Sequence, residues 1–311
     1  MTLPRCPRCE FSYAWDGHNC THCHLPIPTR ASWASFASLV RFDYAHPKRD
    51  RRKQILLGCA CVRRVEHLFP PGRTAESQIL DLTERHADGG GDGTNVIMRI
   101  VRGGIVERPR IHGQPEHAVR AALAAEHAGM MCEDAEDAVE LGFRAAVDHA
   151  RAAKSLAEFP DRPWKSFPLP PGLEDRRAGL PDEPPAYNQF PDMNTDPRGF
   201  AAVRELNAAF HLYGGQRRRA EQDEESAQCR LYRDVFGYPF ATVEFEPAWR
   251  TSTVLALSQQ MYETRDFTAM PILADALQDA GCDHDEILEH CRGGGEHVRG
   301  CWVVDHVLKY S

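Results

Sequence analysis

The 311-residue sequence has no run of about 18 apolar residues, so nothing in it reads as a membrane-spanning helix. Its first 30 residues lack the apolar core of a secretory leader and are polar and cysteine-bearing instead, so the expected location is cytoplasmic. No G-x-S-x-G nucleophile motif and no G-x-x-x-x-G-K-[ST] phosphate loop occur, and no internal repeat is visible. The glycines at 89, 90, 91 and 93 therefore read as a surface loop rather than a phosphate cradle. Positive charge is also in deficit. The formal net charge is −8, which excludes a generic polyanion binder. Hydrophobic residues at 42% and charged residues at 26% exclude a disordered chain.

Cysteine is abundant, but its count of 11 is odd, and in a cytoplasmic chain that argues against a disulfide framework. Four cysteines have metal spacing: Cys6-Pro7-Arg8-Cys9, ten residues, then Cys20-Thr21-His22-Cys23. Each C-x-x-C turn brings two thiolates to one side of a tetrahedral ion at roughly 2.3 Å. Two such turns complete a Zn2+ site at Cys6, Cys9, Cys20 and Cys23 with no open position, which favours a structural ion over a catalytic one. Phe11, Tyr13, Trp15 and Gly17 suit a small hairpin with an aromatic cover. A module this short cannot bury a core of its own, so the metal supplies its folding energy. Residues 1–28 are thus expected to form a zinc ribbon.

The remainder, 32–311, reads as one mainly α-helical domain. Apolar residues at helical steps mark helices over 32–44, 54–69, 74–87, 116–128, 133–159, 200–213, 217–236, 252–265, 267–280 and 298–308, with a short one ending at Cys291. The 54–69 segment is apolar over so wide an arc that it should be buried on more than one side. Residues 94–107, β-branched and interrupted by Gly103-Gly104, read as a short β-hairpin. Ten prolines between 160 and 197 exclude regular helix there and predict a linker or a surface wrap. The core is expected to come from 54–88 packed directly against 229–308, with 160–197 as an insertion.

Three stretches carry a resemblance. ILLGCACVRRV (55–65), LYRDVFGYPF (231–240), and PILADALQDAGC (271–282) continuing to HVRGCWVVD (297–305) resemble a large uncharacterised bacterial family of helical proteins. The resemblance implies a helical core built from the first and last of these segments. It brings no activity with it, and the N-terminal ribbon lies outside it.

Charge is uneven. Eight Lys/Arg (41, 48, 49, 51, 52, 53, 63, 64) face Asp43 and Asp50 between 41 and 64, a balance of +6. From Arg230 onward, seven Lys/Arg face thirteen Asp/Glu, a balance of −6. Lys48, Arg49, Arg51, Arg52 and Lys53 read as an exposed connection and as candidate nucleic-acid contacts; the plainer reading is a solvated helix start. Cys282, Cys291, His297 and Cys301 are spaced as candidates for a second metal site, although buried thiols usually just pack. His297, Arg299 and Asp305 could serve an enzyme as base, anion site and acid. More simply, Asp305 with Arg299 and Asp234 with Arg64 are expected ion pairs. With no catalytic motif, the favoured expectation is a zinc-binding adaptor or regulatory protein with an unidentified protein partner; nucleic-acid binding and an enzyme site near His297 are the alternatives.

Overall fold

The computed structural model describes residues 50–70, 74–90, 93–106, 115–132, 136–237 and 243–310. The zinc-ribbon expectation, the helix over 32–44, and Lys48 and Arg49 lie outside them. The described chain is mainly helical and contains no strand.

The first helix, α1 (Arg51–Arg63), starts where Asp50 accepts a hydrogen bond from the Lys53 amide at 3.1 Å. Every residue from 54 to 62 in it is buried. It is therefore a central helix, as its wide apolar arc demands. It is shorter than the expected 54–69 helix at one end and longer at the other. After Arg63 the chain tightens into a 3-10 turn, Glu66–Leu68, before Pro70. The expected exposed connection at 51–53 is instead its first turn.

Helix α2 (Thr74–Ala87) packs against it, α3 (Gly93–Val106) packs on α2 and α4, and α4 (Glu116–Met130) and α5 (Glu136–Glu158) complete the packing around α1. Helix α3 replaces the expected β-hairpin. Its β-branched residues have helical spacing, and Ile97 and Val101, four apart, form a buried group with Ile79 of α2 and Cys132. Small residues let these helices approach. The alanines at 121, 124, 125 and 128 of α4 face Phe143, Ala146, Val147, Ala150 and Ala153 of α5 in the main core. At Gly129, an added Cβ would lie 2.9–3.0 Å from methyls of Ile79, Val101 and Ile97, so α2, α3 and α4 meet there at a distance only glycine permits.

The expected helices 200–213 and 217–236 are a single helix, α6 (Pro197–Phe236, 40 residues), continuous through Gly214-Gly215. Asp196 caps its start, with Pro197 in the first turn. Its first half carries the proline-rich segment. Trp164, Phe167, Leu169 and Leu180 form a separate small core with Ala202, Val203 and Leu206, and Trp164 Nε1 donates to Asn207 at 2.8 Å. Its second half enters the main core through Cys229, Leu231, Tyr232 and Val235.

The last unit has its own core. Helices α7 (Ser252–Thr264), α8 (Met270–Asp279), α9 (Asp285–Arg292) and α10 (Trp302–Leu308) pack around Trp249, Met261, Leu273, Leu277, Ile287 and Trp302. This unit contacts α1 directly. At Gly300 (φ +92) an added Cβ would lie 3.0 Å from Leu56 and 3.6 Å from Val235. Val298 packs against the main core and Trp302 against Gly237, and ion pairs add to these contacts. Arg52 donates to both oxygens of the fully buried Asp305 at 2.6 and 3.1 Å, and to Asp88 at 2.9 Å. Arg299 reaches Glu84 and Asp88, Arg265 reaches Glu84 and Asp81, and Arg64 pairs with Glu224 and Glu296. The expected pairs Asp305–Arg299 and Asp234–Arg64 are thus both replaced. No helix among the described residues is long and apolar enough to cross a membrane.

Candidate metal centre

Where α6 ends, the last unit folds over it. Asp234, in the last turn of α6, is buried, and its Oδ2 accepts the Val298 amide at 2.9 Å. Its other oxygen faces two imidazoles. His297 Nδ1 lies 2.6 Å from Oδ1 and His290 Nε2 lies 3.2 Å from the same atom. Cys301, fully buried at the start of α10, places its Sγ 3.2 Å from His290 Nε2 and 3.9 Å from His297 Nδ1. One ligand atom from each of the four residues lies within 4.8 Å of every other.

The local sequence explains how they meet. His290 comes from the short helix α9, and Gly293-Gly294-Gly295 turns the chain back. His297 and Cys301 then flank the tight bend at Gly300, which has a left-handed φ and, lacking a Cβ, leaves room for Leu56. Trp302 roofs the group, its ring 5.2 Å from that of His290.

The chemistry of the set follows from which atoms converge. In a nucleophilic triad the imidazole uses one nitrogen for the nucleophile and the other for the acid. Here Sγ and Oδ1 both approach the same nitrogen, Nε2 of His290, and both approach Nδ1 of His297. Donors pointing at a common centre are the arrangement of metal ligands. A tetrahedral ion with metal–sulfur and metal–nitrogen bonds of 2.0–2.3 Å separates its ligand atoms by about 3.3–3.6 Å. The four close distances, 2.6 to 3.9 Å, bracket that range. The group could hold a metal ion.

Electrostatics agree. Burial pushes the Asp234 carboxyl up, but the hydrogen bonds from His290 and His297 outweigh it and hold the carboxyl below its usual range. The Cys301 thiol is pushed well up by burial and by the nearby Asp234 carboxylate. A divalent cation would reverse that balance and deprotonate it. His297 Nε2 is buried without a hydrogen-bond partner, so only Nδ1 of this ring has a role in the group.

Of the four residues expected at a second metal site, His297 and Cys301 belong to it and Cys282 and Cys291 do not. Both of the latter are buried in the core of the last unit; burial raises the Cys282 thiol and pushes that of Cys291 up to about 12. Asp234 and His290 complete the group in their place. Asp234 lies 63 residues upstream of His297 and carries no local signal, whereas His290, with spacing H-x6-H-x3-C to His297 and Cys301, was legible.

The other candidates separate. His297 and Arg299 line a cleft of about 200 Å³ with Arg63, Arg64, Arg265 and Glu84, but Asp305 is not part of it. The expected acid, base and anion site therefore does not assemble. Among the candidate nucleic-acid contacts, Arg52 is committed to Asp305 and Asp88, and Lys53 lies over the Phe236 ring at 5.9 Å. Comparison with protein-family models, with curated proteins and with solved structures finds no match. What fold and site define is therefore a class: a mainly helical protein with a buried Asp/His/His/Cys group able to hold a metal.

Proposed function

We propose that the chain is a zinc-binding, mainly helical adaptor, with zinc in a structural rather than a catalytic role. The observation that carries the structural role is the convergence of Asp234, His290, His297 and Cys301, which offer four protein donor atoms, as many as a tetrahedral ion takes. A catalytic zinc keeps one position for water or substrate. Two imidazoles, a thiolate and a carboxylate suit Zn2+ better than Ca2+ or Mg2+, which take all-oxygen sites. Cys6, Cys9, Cys20 and Cys23 supply a second zinc at the N-terminus on the strength of their spacing. The seven described cysteines are free and buried, which fits a reducing cytoplasm.

Elemental analysis of purified protein should give two zinc equivalents. Cys20→Ser should remove one and Cys301→Ser the other. A Cys301→Ser protein with unchanged zinc content overturns the assignment. Affinity capture from native lysate with and without nuclease then tests the adaptor reading: nuclease-sensitive recovery would favour nucleic acid over a protein partner.

A further inference from the structure

We infer that the metal at Asp234, His290, His297 and Cys301 is a latch that sets whether the last helical unit, α7–α10, stays docked on the helical body. This rests on reading the four-donor group as a metal site. Asp234 belongs to the body, on the helix whose final turns enter the main core, whereas His290, His297 and Cys301 belong to the last unit. The ion therefore bridges two bodies, each with a buried core of its own.

The other ties across this junction have a different character. Arg52–Asp305, Arg299–Glu84, Arg299–Asp88, Arg265–Glu84 and Arg64–Glu296 are ion pairs, and Tyr262 donates to Asp88 at 2.6 Å. Their exposure is graded: Arg64–Glu296 is open at 21% and 45%, whereas Arg52–Asp305 is nearly closed off at 14% and 0%. The outer pairs weaken as the Debye length falls from about 10 Å at 0.1 M salt to about 3 Å at 1 M, and the buried ones much less. Metal–ligand bonds do not. Docking thus rests on the metal brace, on small apolar contacts such as Gly300 with Leu56 and Val298 with the main core, and on ion pairs whose outer members respond to salt; the occupancy of a single ion decides how much the last two must carry.

The carboxylate that bridges through Oδ1 also reports through Oδ2. The Val298 amide donates to Asp234 Oδ2 at 2.9 Å, across the junction, so its hydrogen exchange measures docking. The experiment is hydrogen exchange on the full-length protein, zinc-loaded and after chelation, at 0.1 M and 1 M NaCl, with metal content measured on each sample. Zinc removal should raise exchange at Val298 at least about tenfold. Exchange at Ala125 in the body core and at Leu277 in the core of the last unit should stay unchanged. Salt should accelerate Val298 further only in the zinc-free sample. Asp234→Asn keeps an acceptor for the Val298 amide but removes a charged ligand; it should behave like the chelated protein and respond no further to chelator.

Unchanged Val298 exchange in a sample shown to have lost its C-terminal zinc overturns the latch while leaving the metal site standing. Equal acceleration at Ala125, Leu277 and Val298 also overturns it, since the ion would then staple one cooperative unit. A protein that takes up no C-terminal zinc removes the site itself, and the latch with it.

Discussion

Arg52→Met should be among the most damaging single changes in the molecule. Arg52 grips Asp305 through two nitrogens at 2.6 and 3.1 Å, and Asp305 has no solvent exposure. Methionine keeps the aliphatic stem and removes only the charge and its donors. The buried carboxylate is then left with no bonded cation, Lys53 acting only at a distance, and removing one partner of a buried pair costs about 3–5 kcal/mol. Asp88 and Tyr262 also lose a donor, from Nε at 2.9 Å and Nη2 at 2.7 Å. With about 2–4 °C per kcal/mol for a domain of 150–250 residues, the melting point should fall by about 6–20 °C. The assay is urea denaturation across pH. Burial already raises the Asp305 carboxyl above its ordinary range, with Arg52 opposing it. Without Arg52 the carboxyl rises further, and the folded state binds a proton the unfolded state has released. The penalty is therefore complete above the folded-state pKa and shrinks as pH falls towards the ordinary carboxylate range. Arg52→Met combined with Asp305→Leu should recover most of the loss, since an apolar pair of similar volume has no charge to strand. A loss under about 1 kcal/mol at neutral pH, or one equal at pH 4 and pH 8, refutes the reasoning.

Trp302→Ala removes a ring that roofs the metal group and touches His290, His306 and Gly237, and should cost about 3–5 kcal/mol by chemical denaturation. Gly300→Ala forces a side chain into left-handed backbone at φ +92 against Leu56, and should lower stability by about 1–3 kcal/mol; it should also weaken zinc retention, read by competition with a chromogenic chelator. The His149 imidazole is held below its ordinary pKa by burial, by His127 at 5.0 Å and by Arg120, so the unfolded chain protonates first as pH falls. Stability should drop as pH falls below about 6.5, and His149→Gln should flatten that slope between urea midpoints at pH 7.5 and 5.5.

Much of the helical architecture was legible because burial leaves a periodic trace. The wide apolar arc over 54–69 implies a helix buried on more than one side, and residues 54–62 are indeed all buried. The trace failed where two signals compete. Val96, Ile97, Ile100 and Val101 look like strand by residue type, yet burial of Ile97 and Val101 on one helix face decides the matter. Gly214-Gly215 looks like a break, yet the helix runs on, because Tyr213 and Arg217 on either side are tied to Pro160 and Asp161 of the wrap. Long-range partners were the least legible. Nothing near Asp305 in sequence points to Arg52, 253 residues away, and nothing near His297 points to Asp234. Which charge finds which is settled by helix packing, and one-dimensional spacing cannot encode it.

The long helix has a mechanical consequence. At 1.5 Å per residue its 40 residues extend about 60 Å. The proline wrap is fastened along the first half by Trp164, by Asp175 paired with Arg198 at 2.8 Å, and by Tyr213, which donates to the Pro160 carbonyl, while the far half is anchored in the body. The wrap acts as a splint on a cantilever. It stiffens the projecting half without sharing the core at the root. Proteins fused or docked at the tip would be held at a set distance and angle from the body, and the splint's length could be changed in the laboratory to alter that reach while the metal centre at the root stays intact.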